Sequence, residues 1–300
     1  MNNKKRGVGM FVLLRISKKI KRIVFIGWLT AMVLFFLFSL TKTITTQGNV
    51  LSDDVYLPII MYHGLSENPQ KQGRYVISPA VLEEDLKYIK ENGYTTVVME
   101  DVIEFVQKGK ELPKKPVMLT FDDGNYNNYV YAFPLMQKYD CKMVISPIGS
   151  AVERYTQNGN CHVEYATCHW EHLKEMQESG RVEIQNHSYN LHDTSDRKGS
   201  SKKTTETLSE YRRTFMEDIS YMQQRMKEEL SKTATTFVYP FGAVSRESVS
   251  MLQEMGFKAT MGCEERVNVI TRDEACLYGL GRYLRTGNMS PASLFKKMLS

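Results

Sequence analysis

Two adjacent carboxylates, Asp122 and Asp123, follow a short apolar run in LTFDDGNYNN. Neighbouring carboxylates repel, and successive side chains of a strand point to opposite faces. At a strand end the backbone is already turning, and Gly124 permits unusual dihedrals. The two acids can then enter one pocket from different sides. Two carboxylates sharing a pocket raise one pKa unless a cation neutralises them. A divalent metal would do so, taking one carboxylate as ligand and leaving the other as a base. His187 and His192, in HSYNLHD, are the candidate imidazole partners. One carboxylate and two imidazoles leave at least one position for water. The ion pulls the pKa of that water toward neutrality, and a nearby carboxylate takes its proton. Such a site suits hydrolysis of an amide or an ester.

Two further strand ends carry polar or aromatic residues: His63 after LPIIMY, and YPFG (239–242) after TFV. The elements that position them alternate along the chain. LPIIMYH, YTTVVM, PVMLTF, CKMVISPI, RVEIQNH, TTFVYPF and FKATMG read as strands. Between them run amphipathic helices: from Pro79 behind Ser78, from a cap at Asp101 to about Gly109, over NYVYAFPLMQKY, Trp170–Ser179, Tyr211–Leu230 and Ser245–Met255. Ser290 and Pro291 start a last helix. Segments 148–166 and 193–207 read as loops. Strand and helix in alternation predict an α/β fold with parallel strands, either an open doubly wound sheet or a closed barrel. Both place chemistry at the carboxyl ends of strands.

The 300 residues are 42% hydrophobic and 24% charged, a globular composition with one exception. Residues 23–40 hold eighteen residues without a charge, about the length that crosses a bilayer core. Residues 1–22 carry eight Lys/Arg and no acid, which keeps them in the cytoplasm and sends the rest across. The expected organisation is therefore a basic leader (1–22), a single-pass transmembrane helix (23–40), a polar tether (41–55) and an extracytoplasmic catalytic domain (56–300). The long apolar run and the lack of an A-x-A-like site favour an uncleaved anchor over a signal peptide. The formal charge of +5 is concentrated in the leader; the remainder is slightly acidic and has no nucleic-acid footprint. Five cysteines lie in the part expected to be exported, where disulfides form. Cys161 with Cys168 and Cys263 with Cys276 are the sequence-local pairings. CHVEYATCH, with His162 and His169 beside its cysteines, could instead hold a small zinc site, although the spacing is not that of a finger.

TFDDG (120–124), the His187–His192 segment and YPFG (239–242) resemble the successive motifs of polysaccharide deacetylases, carbohydrate esterase family four with the NodB homology domain. The resemblance runs from about Tyr56 to the C-terminus. PIIMYHGL (58–65) and LPKKPVMLTFDDG (112–124) are most similar to the branch that deacetylates biofilm poly-N-acetylglucosamine. The resemblance implies a distorted (β/α) barrel of about seven parallel strands. It implies Asp122 as general base and Asp123, His187 and His192 as ligands of a divalent metal, commonly Zn2+. The implied reaction removes acetyl from N-acetylated amino sugars of a cell-surface or cell-wall polysaccharide.

The sequence departs from the family in three places. Its histidines are five apart rather than four, a spacing the biofilm branch tolerates. The third motif has Val238 where an arginine usually orients the base, and Arg282 in GLGRYLR is the expected substitute. No histidine follows His192, so His63 is the expected general acid. The Phe241 N–H is the candidate oxyanion donor. Tyr239 and Phe241 either stack on sugar or belong to the core. Two other readings use the same residues: a glycan-binding pseudoenzyme, and an O-acetyl esterase or amidase on the same scaffold.

Overall fold

The computed structural model describes residues 17–46 and 54–299. The chain divides into two units, 1–53 and 54–300. In the first unit one helix, α1 (Lys18–Thr46), includes the apolar run. The side chains of 37–46 lie outside the described ones, so the expected span 23–40 is only partly covered. Among the described residues no helix is long and apolar enough to cross a membrane. The expected tether is not uniform: α1 continues to Thr46, and Val55 already begins a strand, Val55–Leu57, antiparallel to Asn268–Ile270.

In the second unit eight strands form the parallel set around the site, apart from a two-residue parallel pair, Gly64–Leu65 with Val76–Ile77. They are β1 (Ile59–Tyr62), β2 (Thr95–Val97), β3 (Pro116–Asp123), β4 (Met143–Pro147), β5 (Val182–Ile184), β6 (Thr236–Val238), β7 (Ala259–Met261) and β8 (Tyr283–Leu284). Paired neighbours follow the order β8-β1-β3-β4-β5, with β6 beside β7. Single parallel bridges, Asn186 to Phe237 and Met261 to Leu280, join the two sets into a ring. The result is a (β/α) barrel of seven strands, distorted at the two places where a single bridge replaces a ladder. Strand β2 lies off the ring, beside the first half of β3. The expected count is thus met by a different set, because Tyr283–Leu284 is too short to show periodicity in sequence.

Successive residues of β1 and β3 feed two buried clusters, as period two requires. Ile60, Tyr62, Leu119 and Phe121 pack with helix residues such as Leu82, Leu86, Phe215 and Ile219. Ile59 and Met118 pack with Val144, Val238 and Met261 and with Val102 and Phe105. Leu82 and Leu86 lie on α2 (Pro79–Glu91), Phe215 and Ile219 on α7 (Leu208–Leu230), and Val102 and Phe105 on α3 (Met99–Lys108). Helix α2 starts as expected, with the Ser78 hydroxyl accepting the Val81 N–H. Asp101 does not cap α3: it sits in the first turn and its carboxylate takes the Val98 N–H at 3.1 Å. NYVYAFPLMQKY begins with a wide turn, Asn128–Ala132, before α4 (Phe133–Lys138). The expected loop 148–166 is half helix, α5 (Gly149–Asn158), whose few apolar residues gave no stripe to read. Helices α6 (Trp170–Glu178), α8 (Ser248–Glu254) and α9 (Pro291–Leu299) lie where the sequence puts them, each shorter by a few terminal residues or close to it.

All five cysteines are free thiols. Neither local pairing forms: Cys168 donates to the Asn125 carbonyl in the core, and Cys263 faces Arg282 at 3.8 Å.

One buried ion pair fastens the barrel beneath the site. Arg285 gives Nε and Nη2 to Asp85 at 2.7 and 2.9 Å, and the Tyr62 hydroxyl adds a third bond at 3.0 Å. Both charged side chains are fully buried. Tyr62 stacks on Phe121 with centroids 4.8 Å apart, so the residues just before His63 and Asp122 are locked together. Asp85→Ala should cost about 3–5 kcal/mol by stranding the Arg285 charge. Equilibrium denaturation in urea measures it, and a loss under 1 kcal/mol would mean that the pair is solvated.

Candidate active site

The four strand ends meet in one pocket of about 550 Å³, lined among others by His63, Tyr75, Asp122, Asp123, His187, His192, Phe241 and Cys263. Asp122 and Asp123 end β3, yet they point to different neighbours. Asp122 keeps strand geometry and turns into the barrel, where it is 2% exposed. Asp123 has φ 70°, the left-handed region, which an aspartate tolerates better than most residues. Gly124 follows at φ 75°, and a Cβ there would lie 2.5 Å from the Pro147 Cβ. Two left-handed residues in succession therefore swing the second carboxylate into the pocket, which explains how adjacent acids reach one site.

Asp122 is held by Arg282. The guanidinium makes two parallel bonds, Nη1 to Oδ1 at 2.7 Å and Nη2 to Oδ2 at 2.8 Å. Arg282 is itself fixed by the Gly262 carbonyl at 2.8 Å and the Thr120 hydroxyl at 3.2 Å. This is the cation that the sequence lacks at Val238. Burial alone would raise the Asp122 pKa; the Arg282 charge, with His187 behind it, reverses this and holds the carboxyl well below its usual range.

Asp123, His187 and His192 offer donor atoms to a common point. Asp123 Oδ1 lies 3.7 Å from His187 Nε2 and 3.3 Å from His192 Nε2, and it has no hydrogen-bond partner. His187 Nδ1 lies 2.7 Å from the Val238 carbonyl, so it carries the proton and Nε2 presents a lone pair. Burial lowers the His187 pKa to about 3 and also lowers that of His192, which keeps both rings neutral. Burial raises the pKa of Asp123. An unpartnered buried carboxylate oxygen between two neutral imidazoles fits a divalent cation, and the three residues form one of two such groups among the described residues.

The five-residue histidine spacing has a local cause. Ser188 is left-handed at φ 68°, and its N–H returns to Asn186 Oδ1 at 2.8 Å. Asp218, on α7, then accepts the N–H groups of Tyr189 and Asn190 at 2.8 and 2.7 Å. The extra residue is absorbed in that clamped turn. Sequence reasoning missed Asp218, although an acid three residues after Phe215 falls on the buried face of the helix and was a readable signal.

His63 faces the same pocket; its Nδ1 is buried without a partner and its ring packs on Tyr75 at 4.8 Å. Phe241 is left-handed at φ 57°, and its ring covers His192 at 4.3 Å. Tyr239 does not reach the site: it is fully buried, and its hydroxyl bonds Ser248 Oγ at 2.7 Å. Its ring belongs to the core and cannot stack on a sugar. Tyr75 and Cys263 line the pocket without having been anticipated, since neither lies in a motif.

A model of the polysaccharide deacetylase family matches residues 109–260, half of the chain, which include the Asp122-Asp123 pair and both histidines. The chain belongs to the polysaccharide deacetylase family. Among relatives, a poly-beta-1,6-N-acetyl-D-glucosamine N-deacetylase of Escherichia coli K12 is 27% identical over 219 residues, 66% of this chain and 32% of the relative. One from Staphylococcus aureus MSSA476 is 24% identical over 193 residues, 64% of this chain and 62% of the relative. The chain thus spans about a third to three-fifths of the curated relatives it matches. The solved structure of IcaB from Ammonifex degensii is 26% identical, with a TM-score of 0.66 over 81% of this chain and 97% of that one. That likeness is one of fold, and this chain carries Asp122, Asp123 and His187 at or just past the carboxyl ends of its strands.

Proposed function

We propose that the protein is a zinc-dependent N-deacetylase acting on a polymer of N-acetylated amino sugars. Poly-β-1,6-N-acetylglucosamine, the polymer in the names of the relatives, is the first substrate class. The observation that carries this reading is the convergence of Asp123, His187 and His192 beside the Asp122–Arg282 pair, with His63 on the same pocket.

Asp123, His187 and His192 would hold a divalent ion, which would supply Lewis acidity toward the acetyl carbonyl and the attacking water. Asp122, kept ionised and oriented by Arg282, takes the proton of that water as general base. The Phe241 N–H is the donor assigned to the developing oxyanion. As the C–N bond breaks, His63 gives its proton to the departing amine, and acetate and a free amino sugar leave. Phe241, 41% exposed at the pocket rim, offers an apolar face to a sugar ring.

In this reading residues 23–40, whose last side chains lie outside the described ones, anchor the chain as a single pass, with the catalytic unit outside the cytoplasm. Protease added to intact cells should then cleave residues 54–300. Protection until lysis would overturn the topology.

The activity is tested by acetate release from β-1,6-linked and β-1,4-linked N-acetylglucosamine oligomers and from an acetyl ester. Release from the β-1,6 oligomers, abolished by a chelator, is expected. A folded, metal-loaded protein that binds these oligomers and releases no acetate would be a glycan-binding protein instead. Much faster turnover of the ester would make it an esterase.

A further inference from the structure

A second group of metal-ligating side chains lies outside the active site. Cys161, His169 and His172 have donor atoms within 4.8 Å of one another. Cys161 Sγ is 3.6 Å from His169 Nε2 and 4.0 Å from its Nδ1. In a tetrahedral zinc site the S–N and N–N separations are about 3.4–3.6 Å.

We propose that Cys161, His169 and His172 form a zinc-class site of three protein ligands, its fourth position left to solvent, that clips the 159–169 segment to the start of α6. One thiolate and two imidazoles are the borderline-soft set that selects zinc over magnesium or calcium. His169 Nε2 lies 3.0 Å from the Asn160 carbonyl. Donation there leaves Nδ1 as the lone-pair atom, the outer-sphere arrangement typical of ligating histidines. His172 Nδ1 now takes the His169 N–H at 3.1 Å, a cap that coordination exchanges for a stronger bond. A helix start disfavours a cation; the thiolate and Glu171, in the first turn, offset this. The set differs from the one that CHVEYATCH suggests. Cys168 is turned into the core, and His162 accepts the Glu164 N–H and stacks on Tyr165.

The clip bears on the catalytic strand. Cys168 N–H bonds the Gly124 carbonyl at 2.8 Å, and Tyr126 N–H bonds the Ala166 carbonyl at 2.8 Å. Asn127 Nδ2 bonds the Val163 carbonyl at 3.2 Å. The segment that the metal fastens is therefore the one laid against the turn after Asp123.

The test uses the full chain in detergent. After dialysis against zinc, metal analysis should find two equivalents per chain, and one in Cys161→Ser, in His172→Gln and in His187→Ala. Loaded with cobalt(II), wild type and His187→Ala should show a thiolate charge-transfer band that Cys161→Ser lacks. His172→Gln serves as the second variant should Cys161→Ser fold poorly. A single equivalent in wild type, lost with His187, would overturn the proposal. So would a Cys161–Cys168 disulfide in the zinc-loaded protein.

Discussion

Asp122→Asn is expected to lower the rate of acetate release by about 10²–10⁴-fold, the usual contribution of a positioned general base. Asparagine is nearly isosteric and can accept one Arg282 bond, but it cannot take a proton. The metal should stay, because the donor atoms come from Asp123, His187 and His192. Some stability is lost as well, since the Arg282 side chain is fully buried and keeps its charge with half of its partner gone. Bound metal and the far-ultraviolet circular dichroism should therefore match wild type while turnover collapses. Full activity in this variant would remove Asp122 from the base role.

Arg282→Lys gives the second large effect. Lysine keeps the charge and loses the planar fork that matches both carboxylate oxygens. The pair is buried, so orientation lost there is not replaced by water. The expected loss in kcat/KM is about 10–100-fold, smaller than for removal of the base itself. The pH profile distinguishes positioning from general support. Arg282 holds the Asp122 pKa down, and Asp122 must be ionised to accept a proton. A weaker partner lets that pKa rise, so the acid limb of kcat/KM should move to higher pH. A uniform drop with an unmoved acid limb would make Arg282 a packing residue only.

Much of the site was legible because its residues sit in short motifs at strand ends. Asp122, Asp123, His187 and His192 could be named from chemistry, and Arg282 from the absence of an arginine at Val238. What could not be read depends on backbone conformation or on long-range packing. The left-handed geometry of Asp123 and Ser188 leaves no mark beyond residue type. Tyr239 looked equally apt for core and sugar; only the buried bond to Ser248 decides it. His172 escaped notice since its partner Cys161 is eleven residues away and meets it only after the chain turns into α6. Strand β8 is two residues long, too short for a period-two pattern. In the core, where burial is periodic, Leu82, Leu86 and Ile89 on α2 and Phe215, Ile219, Met222 and Met226 on α7 are buried at helical spacing, which is what makes those two helices readable in sequence.

The central claim is that a metal held by Asp123, His187 and His192 is required for deacetylation. It is tested most directly by stripping the protein with a chelator, returning zinc in steps, and following acetate release against bound metal. Activity should be absent from the stripped protein. It should return in proportion to the equivalent that His187→Ala and His192→Ala cannot hold. Undiminished acetate release from metal-free protein would contradict the account.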